Sequence, residues 1–429
     1  MKRLLILCLF TAALSGNSIL IAQTSALDSL INRAIEVSPK LAMYRAKRSV
    51  AENKIPQVSN LPDPMLTLGV VNMPVNSFSF TQEPMTGKMI SVSQAFPFPG
   101  KLSAAEDVGS KDVNITDEEI QDEINDIKKN VADTYYELVF TRKAISLTGE
   151  SKKLLKDISK VVGTKYSVSE ASQQNLIKIQ LEITRINDKL EELKSKETSL
   201  LSTINNYLIR DLQTPVNTSG LKATRELNLS IAKLDSTAVS NRPLLKGIRL
   251  SEDKAMLMER LADYEFFPNF NITLQYSARE QIAKTNTDLT DFFSAMVGIS
   301  IPLNYGGKKT AKVEEAKSMQ GLYSEQYNAT LQSLNIAFGN SLAKLKEIKE
   351  REKLIVEGMQ PQASQSLNAA LSGYQVGKID FLNVIESENK LFEIETNLYR
   401  LRTDYLKEIN KLEFLTGSNL KKDIYNGVE

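Results

Sequence analysis

Apolar residues recur along this chain with two different periods. In Phe270-Asn271-Ile272-Thr273-Leu274-Gln275-Tyr276-Ser277 every apolar residue is followed by a polar one, and Val297, Ile299, Ile301 and Leu303 share one face with Met296, Gly298 and Ser300 opposite. In the first half Leu66, Leu68 and Val70 oppose Thr67, Gly69 and Val71, while Ile90, Val92 and Phe96 oppose Ser91, Ser93 and Ala95. Alternation of this kind predicts two strands in each half. Each would be about 8–11 residues long, the length a tilted strand needs to cross a bilayer. The intervening stretches, 72–88 and 277–291, hold polar residues with proline or charge and read as loops. Taken alone, the strands fit a half-buried soluble sheet better, because a transmembrane β signal is weak per segment.

Elsewhere the spacing is three, four and seven. Ile120, Ile124, Ile127, Val131, Tyr135 and Leu138 form one seam. Leu176, Ile179, Ile183, Ile186, Leu190, Leu193 and Leu200 form a second, and Val384, Leu391, Ile394, Leu398, Leu401 and Tyr405 a third. Charged residues fill most intervening positions. A helix over 102–162 would run about 90 Å at 1.5 Å per residue. Narrow seams on long polar helices call for coiled-coil packing rather than a thick core.

Prolines divide these regions and show that the plan occurs twice. They cluster from Pro39 to Pro99, vanish until Pro215, then return at Pro243, Pro268 and Pro302 before a stretch broken only by Pro361. Pro62-Asp63-Pro64-Met65-Leu66-Thr67-Leu68 resembles Pro268-Asn269-Phe270-Asn271-Ile272-Thr273-Leu274. Ile90-Ser91-Val92 leading to Pro99-Gly100-Lys101 resembles Ile299-Ser300-Ile301 leading to Gly306-Gly307-Lys308, and Tyr166 with Leu176 matches Tyr374 with Leu382. The offset stays near 204 to 208, reaching 209 at Ile90 and Ile299. The expected organisation is a signal peptide at 1–22, a first repeat over 23–215 and a second over 216–429, each repeat a helix, a β-hairpin and a long helical hairpin.

Composition sets the address and removes whole classes of chemistry. Met1-Lys2-Arg3 followed by the apolar stretch 4–14 has the layout of a secretory signal. Cys8, the only cysteine, lies inside that stretch, too early for a lipoprotein cleavage site, so the mature chain is expected to carry neither thiol nor acyl anchor. With no histidine there is no imidazole for a catalytic triad or a zinc, copper or haem site. A net charge of +1 gives no footprint for nucleic acid. No cofactor, no metal site and no enzymatic activity are expected. Met65, Met73, Met85 and Met89 could offer thioether sulfur to Cu(I), but methionine as apolar filler is the stronger account.

Strands and helices together point further than either alone. Four strands cannot close a membrane barrel, whose smallest single-chain form has eight. An open edge in lipid leaves backbone amides unpaired, so spanning strands must be pooled between chains. Three chains would give twelve strands and leave room for a pore. The expected fold is α+β, mostly α: long coiled-coil helices forming an α-barrel, and four strands per chain contributing to a trimeric twelve-stranded transmembrane β-barrel.

This duplicated plan, with Tyr374-Gln375-Val376-Gly377 before a heptad and the Gly306-Gly307-Lys308 turn, resembles the TolC family of outer-membrane efflux proteins. Ser93-Gln94-Ala95-Phe96-Pro97-Phe98-Pro99-Gly100-Lys101-Leu102 and Pro361-Gln362-Ala363-Ser364-Gln365-Ser366-Leu367 with Asp380-Phe381-Leu382 resemble the branch serving heavy-metal pumps (CusC- and CzcC-like). The resemblance implies a homotrimeric conduit in outer-membrane lipid with a large periplasmic part. Its partners would be a periplasmic adaptor and an inner-membrane pump, often of the RND type, and its cargo small molecules or metal ions. The strand-to-helix turns would be Gly100-Lys101 and Gly306-Gly307. The helix-to-helix turns, near 166–172 and 374–380, would form the periplasmic tip and the adaptor contact through Tyr166, Ser169, Tyr374, Gly377 and Asp380, with Gly163, Gly373 and Gly377 relaxing the helical pattern. Asn383, Glu386 and Asn175 match positions that ring the periplasmic constriction in relatives. Two other classes compete: a secreted structural coiled-coil or adhesin, which gives no reason for two matched halves, and a periplasmic adaptor, which would carry one hairpin rather than two.

Overall fold

A computed structural model describes residues 26–224 and 229–420; the expected signal peptide and Cys8 lie outside the described residues. The first half runs α1 (Ala26–Val37), α2 (Pro39–Ser59), β1 (Met65–Val71), β2 (Gly87–Phe96), α3 (Lys101–Ser167) and α4 (Gln173–Tyr207). The second runs α5 (Ile231–Asn241), α6 (Pro243–Asp263), β3 (Phe270–Ala278), β4 (Phe292–Ile299), α7 (Lys308–Leu354), α8 (Gln360–Gln375) and α9 (Phe381–Thr416). The order is the same in both, except that the counterpart of α3 is divided into α7 and α8 by a π turn, Ile355–Met359. The loops are slightly shorter than the sequence suggests. Gly87 pairs with Val71 and Lys88 with Ala278, so the ladder continues past a charged residue that alternation alone would assign to a loop.

Among the described residues two compact units are distinguished, one within Pro39–Asp126, Arg225–Glu347 and Glu408–Glu429, the other within Met1–Ser38, Ile127–Thr224 and Ile348–Lys407. The first holds the sheet, four antiparallel strands in the order β1-β2-β3-β4. Its register sorts the side chains by chemistry. Leu68, Ile90, Tyr276 and Phe293 stand in one cross-strand row, and Leu66, Val92, Leu274 and Ala295 in the next row on the same face. Between them, on the opposite face, lies the row Thr67, Ser91, Gln275 and Ser294. The apolar face is uncovered: Leu68 is 71% and Phe293 70% exposed. A soluble sheet hides its apolar face against a core, and this one does the reverse.

Where β2 turns into α3, the chain doubles back over the other repeat. Gly100 has φ +90°, and a Cβ there would lie 2.6 Å from the Tyr264 hydroxyl. Phe98 stacks on Phe267 at 4.6 Å, and its backbone N–H donates to Asn269 Oδ1 at 3.1 Å. Lys101 reaches Glu265 at 3.1 Å. The matched turn, Gly306 (φ +59°) and Gly307 (φ +76°), has open space around it, so its glycines serve backbone conformation alone. Alongside, α2 and α6 are tied to α3 by Lys40–Glu123, Lys47–Glu119, Lys111–Asp253 and Lys254–Asp112 at 2.5–2.8 Å.

The second unit is two helical hairpins packed along the seams. Leu155, Ile158 and Val162 of α3 meet Ile179 and Ile186 of α4, Leu367, Ala370 and Tyr374 of α8, and Phe381, Val384 and Ile385 of α9. Further along, Glu137 on α3 accepts hydrogen bonds from Lys196 (2.6 Å), Arg400 (2.8 and 3.0 Å) and Lys407 (2.7 Å). Burial works against its charge, but these three cations prevail and hold its pKa far below the ordinary value. One carboxylate thus binds α3 to both α4 and α9. Among the described residues no helix is long and apolar enough to cross a membrane.

Replacing Gly306 with alanine is expected to cost about 1 kcal/mol, the penalty of a left-handed L-residue. Gly100→Ala adds the collision with Tyr264 and is expected to lose about 2–3 kcal/mol. Denaturant unfolding of the two variants checks this; equal losses would mean that Tyr264 simply moves aside.

Candidate functional site

The residues expected to form a tip and a constriction lie in the hairpin unit, at two turns built to one template. In the first turn Glu170 N–H donates to Lys165 C=O at 2.8 Å and Ser169 N–H to Tyr166 C=O at 3.0 Å. In the second Lys378 N–H donates to Gly373 C=O at 2.8 Å and Gly377 N–H to Tyr374 C=O at 3.1 Å. Both are helix ends closed by a left-handed residue, Ser169 (φ 64°) and Gly377 (φ 74°). Each following helix is capped by a short polar side chain. Ser172 Oγ accepts from Asn175 N–H at 3.3 Å, and Asp380 Oδ1 accepts from Leu382 N–H at 2.9 Å.

Not every glycine acts as the sequence suggested. Gly163 lies inside α3 and Gly373 inside α8 without ending either helix. Gly373 instead clears space, since a Cβ there would sit 2.5 Å from Ile379 Cδ1. The bend in the first turn falls on Ser169, which glycine counting passes over but which stands opposite Gly377 in the repeat.

The two matched tyrosines differ. Tyr166 is exposed, whereas Tyr374 is buried against Phe381 at 5.8 Å. Burial, helped by Asp380, raises the Tyr374 pKa, and its hydroxyl has no partner among the described residues. Ser169, Gly377 and Asp380 are exposed around these rings.

Asn383 and Glu386 face one groove of about 960 Å³ along α8 and α9, walled also by Ser366, Ala369, Ile379 and Leu382. Glu386 is exposed and makes no ion pair among the described residues, so its charge is available to the groove. Asn175 occupies the matched position on α4 but does not line this groove. Gly100, Lys101, Gly306 and Gly307 belong to the sheet unit and take no part in it.

One carboxyl outside the expected site lies close by in sequence. Glu388 is 3% exposed; Ser151 Oγ donates to one of its oxygens, and the other has no partner among the described residues. Burial pushes its pKa up, the Ser151 hydrogen bond opposes that, and Glu182 adds to it. Glu388 fills the step that the third seam skips, four residues after Val384 and three before Leu391, so the spacing puts it on the buried face, and the packing of α3 supplies its partner. Among the described residues no group of acidic, histidine and cysteine side chains could hold a metal ion.

This architecture has counterparts among known proteins. Over 92% of the chain it superposes on VceC from Vibrio cholerae, covering 96% of that chain with a TM-score of 0.77 at 16% identity. It superposes likewise on CusC, 92% of each chain, with a TM-score of 0.76 at 16% identity. Residues 234–418 match the family model described as outer membrane efflux protein. The chain resembles TolC-family proteins in fold and over part of its sequence. In sequence it is 22% identical over 250 residues to the outer membrane protein TolC of Vibrio cholerae, 56% of this chain and 53% of that protein. It is 19% identical over 272 residues to the cobalt-zinc-cadmium resistance protein CzcC of Cupriavidus metallidurans, 62% of each. The matches thus span roughly half to three-fifths of these curated relatives.

Because the native state keeps Glu388 protonated longer than the unfolded chain does, unfolding releases a proton between the two pKa values. Stability is therefore expected to fall as pH rises from about 4.3, the free carboxyl value, through the raised native one. Glu388→Gln should be more stable than wild type at neutral pH and lack this decline in unfolding titrations. A variant less stable at every pH would show that the ionised form is the native one.

Proposed function

We propose that this chain is a passive conduit of the outer membrane, the exit duct of a tripartite efflux system. The observation that carries the reading is the sheet: four strands, an uncovered apolar face, an uncharged face of Thr67, Ser91, Gln275 and Ser294, and two edges without partners among the described residues. Lipid covers the apolar face; the polar face lines the bore. Pairing β4 of one copy with β1 of the next closes the edges, and three copies give twelve strands around an open lumen. The repeats, 23–215 and 216–429, supply one β-hairpin and one helical hairpin each.

The helical hairpins extend into the periplasm as an α-barrel. There Tyr166, Ser169, Gly377 and Asp380 offer the contact surface for a periplasmic adaptor, with Tyr374 packed beneath them to hold the turn in shape. An inner-membrane pump, of the RND type, feeds cargo through that adaptor. The matching family model, described as outer membrane efflux protein, and the name of one relative, a cobalt-zinc-cadmium resistance protein, support small molecules or metal ions as cargo. No residue is assigned a catalytic step, and selectivity comes from bore and lining charge. Glu386, repeated around a threefold axis, concentrates cations at the constriction, with Asn383 and Asn175 as its neutral companions. A secreted coiled-coil or adhesin would have no use for a sheet with its apolar side turned outward.

Purified protein added to a planar lipid bilayer should give discrete conductance steps with a preference for cations. Glu386→Gln should keep the steps and weaken that preference. Absence of steps from folded protein would remove the conduit, whereas steps with unchanged selectivity would remove only the charge ring.

A further inference from the structure

The two repeats are not equal in length along their long helices, and the difference has one location. Gly100 and Gly307, like Lys101 and Lys308, are 207 positions apart, whereas Tyr166 and Tyr374, Ser169 and Gly377, and Asn175 and Asn383 are 208 apart. One extra residue therefore enters the second repeat between Lys308 and Tyr374. In a continuous α-helix it would turn everything beyond it by about 100° and take Leu367, Ala370 and Tyr374 off the core. Instead it is taken up in the π turn Ile355–Met359, where Gln360 N–H donates to Ile355 C=O, one residue further back than in an α-helix.

That turn also has little side-chain support. Pro361 follows it and brings no N–H, so the i→i−4 bond to the carbonyl of Glu357 is missing. Gly358 contributes no side chain, and a Cβ there would meet nothing. Ile355 is buried, but Leu354, Val356 and Met359 are 65%, 41% and 42% exposed. Just before the turn the helix is held firmly: Glu352 accepts from Arg402 Nε at 2.7 Å and from Thr224 N–H at 3.1 Å. Just after it the first polar tie is one long contact, Gln360 Nε2 to Glu395 Oε1 at 3.3 Å, before Leu367 joins the core. In the first repeat Lys153 stands where Pro361 does, and α3 continues without interruption.

We infer that Ile355–Met359 is a hinge, clamped on one side by Glu352, that lets α8 and the turn beyond it tilt while α3 stays straight. The asymmetry is built into the sequence as one added residue with a glycine and a proline beside it. The inference stands on helix geometry alone and would survive the loss of the conduit reading.

Spin-label distance measurements test it on the full chain with Cys8 replaced, labelled copies being diluted with unlabelled ones. Labels at Glu350→Cys and Asn368→Cys bracket the π turn; labels at Ser146→Cys and Thr164→Cys bracket the same length of α3. The α8 pair should give the broader distance distribution. Deleting Gly358, which removes the extra residue, should abolish the excess width, and Gly358→Ala combined with Pro361→Ala should do the same without changing helix length. Equal widths in the two pairs, or an excess that persists in the doubly substituted chain, would overturn the hinge whatever the deletion does to folding.

Discussion

A backbone N–H at the edge of a sheet can be left to water but not to hydrocarbon, and this chain has two such edges beside an apolar face. In lipid each unpaired group costs several kcal/mol. The protein meets half of the requirement internally, because β2 of the first repeat pairs with β3 of the second over nine residue pairs, from Lys88↔Ala278 to Phe96↔Phe270. The duplication thus yields a sheet whose inner seam is made and whose outer seam is open. A second copy offers the complementary edge, and repetition around an axis closes the ring. Oligomerisation on this reading is a condition of membrane insertion rather than a later refinement.

The helical part follows a different economy. Its seams are one or two residues wide, so burial is thin and polar groups fix the register. Glu137 does so favourably, with three cations on one carboxylate. Glu388 does so at a cost, buried with one oxygen unpaired. The two turns are copies in hydrogen bonding but not in burial, since the ring of Tyr374 is packed inside and that of Tyr166 faces out. The repeats have therefore diverged where they end and where α7 gives way to α8, while their frame has been kept.

Much of this was legible beforehand. Period-two alternation gave the four strands and which side chains share a face, because a strand's faces follow from parity alone. The heptad seams found the buried positions: Ile127, Val131, Tyr135 and Leu138 on α3, and Val384, Ile394, Leu398 and Leu401 on α9, are all buried. What stayed hidden depended on partners distant in the chain. Glu388 stands in step with the third seam, but Ser151, which it meets on α3, is 237 residues away. The π turn left a trace in the step of the repeat offset from 207 to 208, but a one-residue step in a distant match carries no location until the helix itself is seen.

The pooled sheet is open to one direct measurement, the mass of the full chain extracted from membranes and corrected for bound detergent. Three copies per particle, falling out of solution when detergent is withdrawn, is the predicted result. A single chain of 47.9 kDa or less that stays dispersed in plain buffer would contradict it.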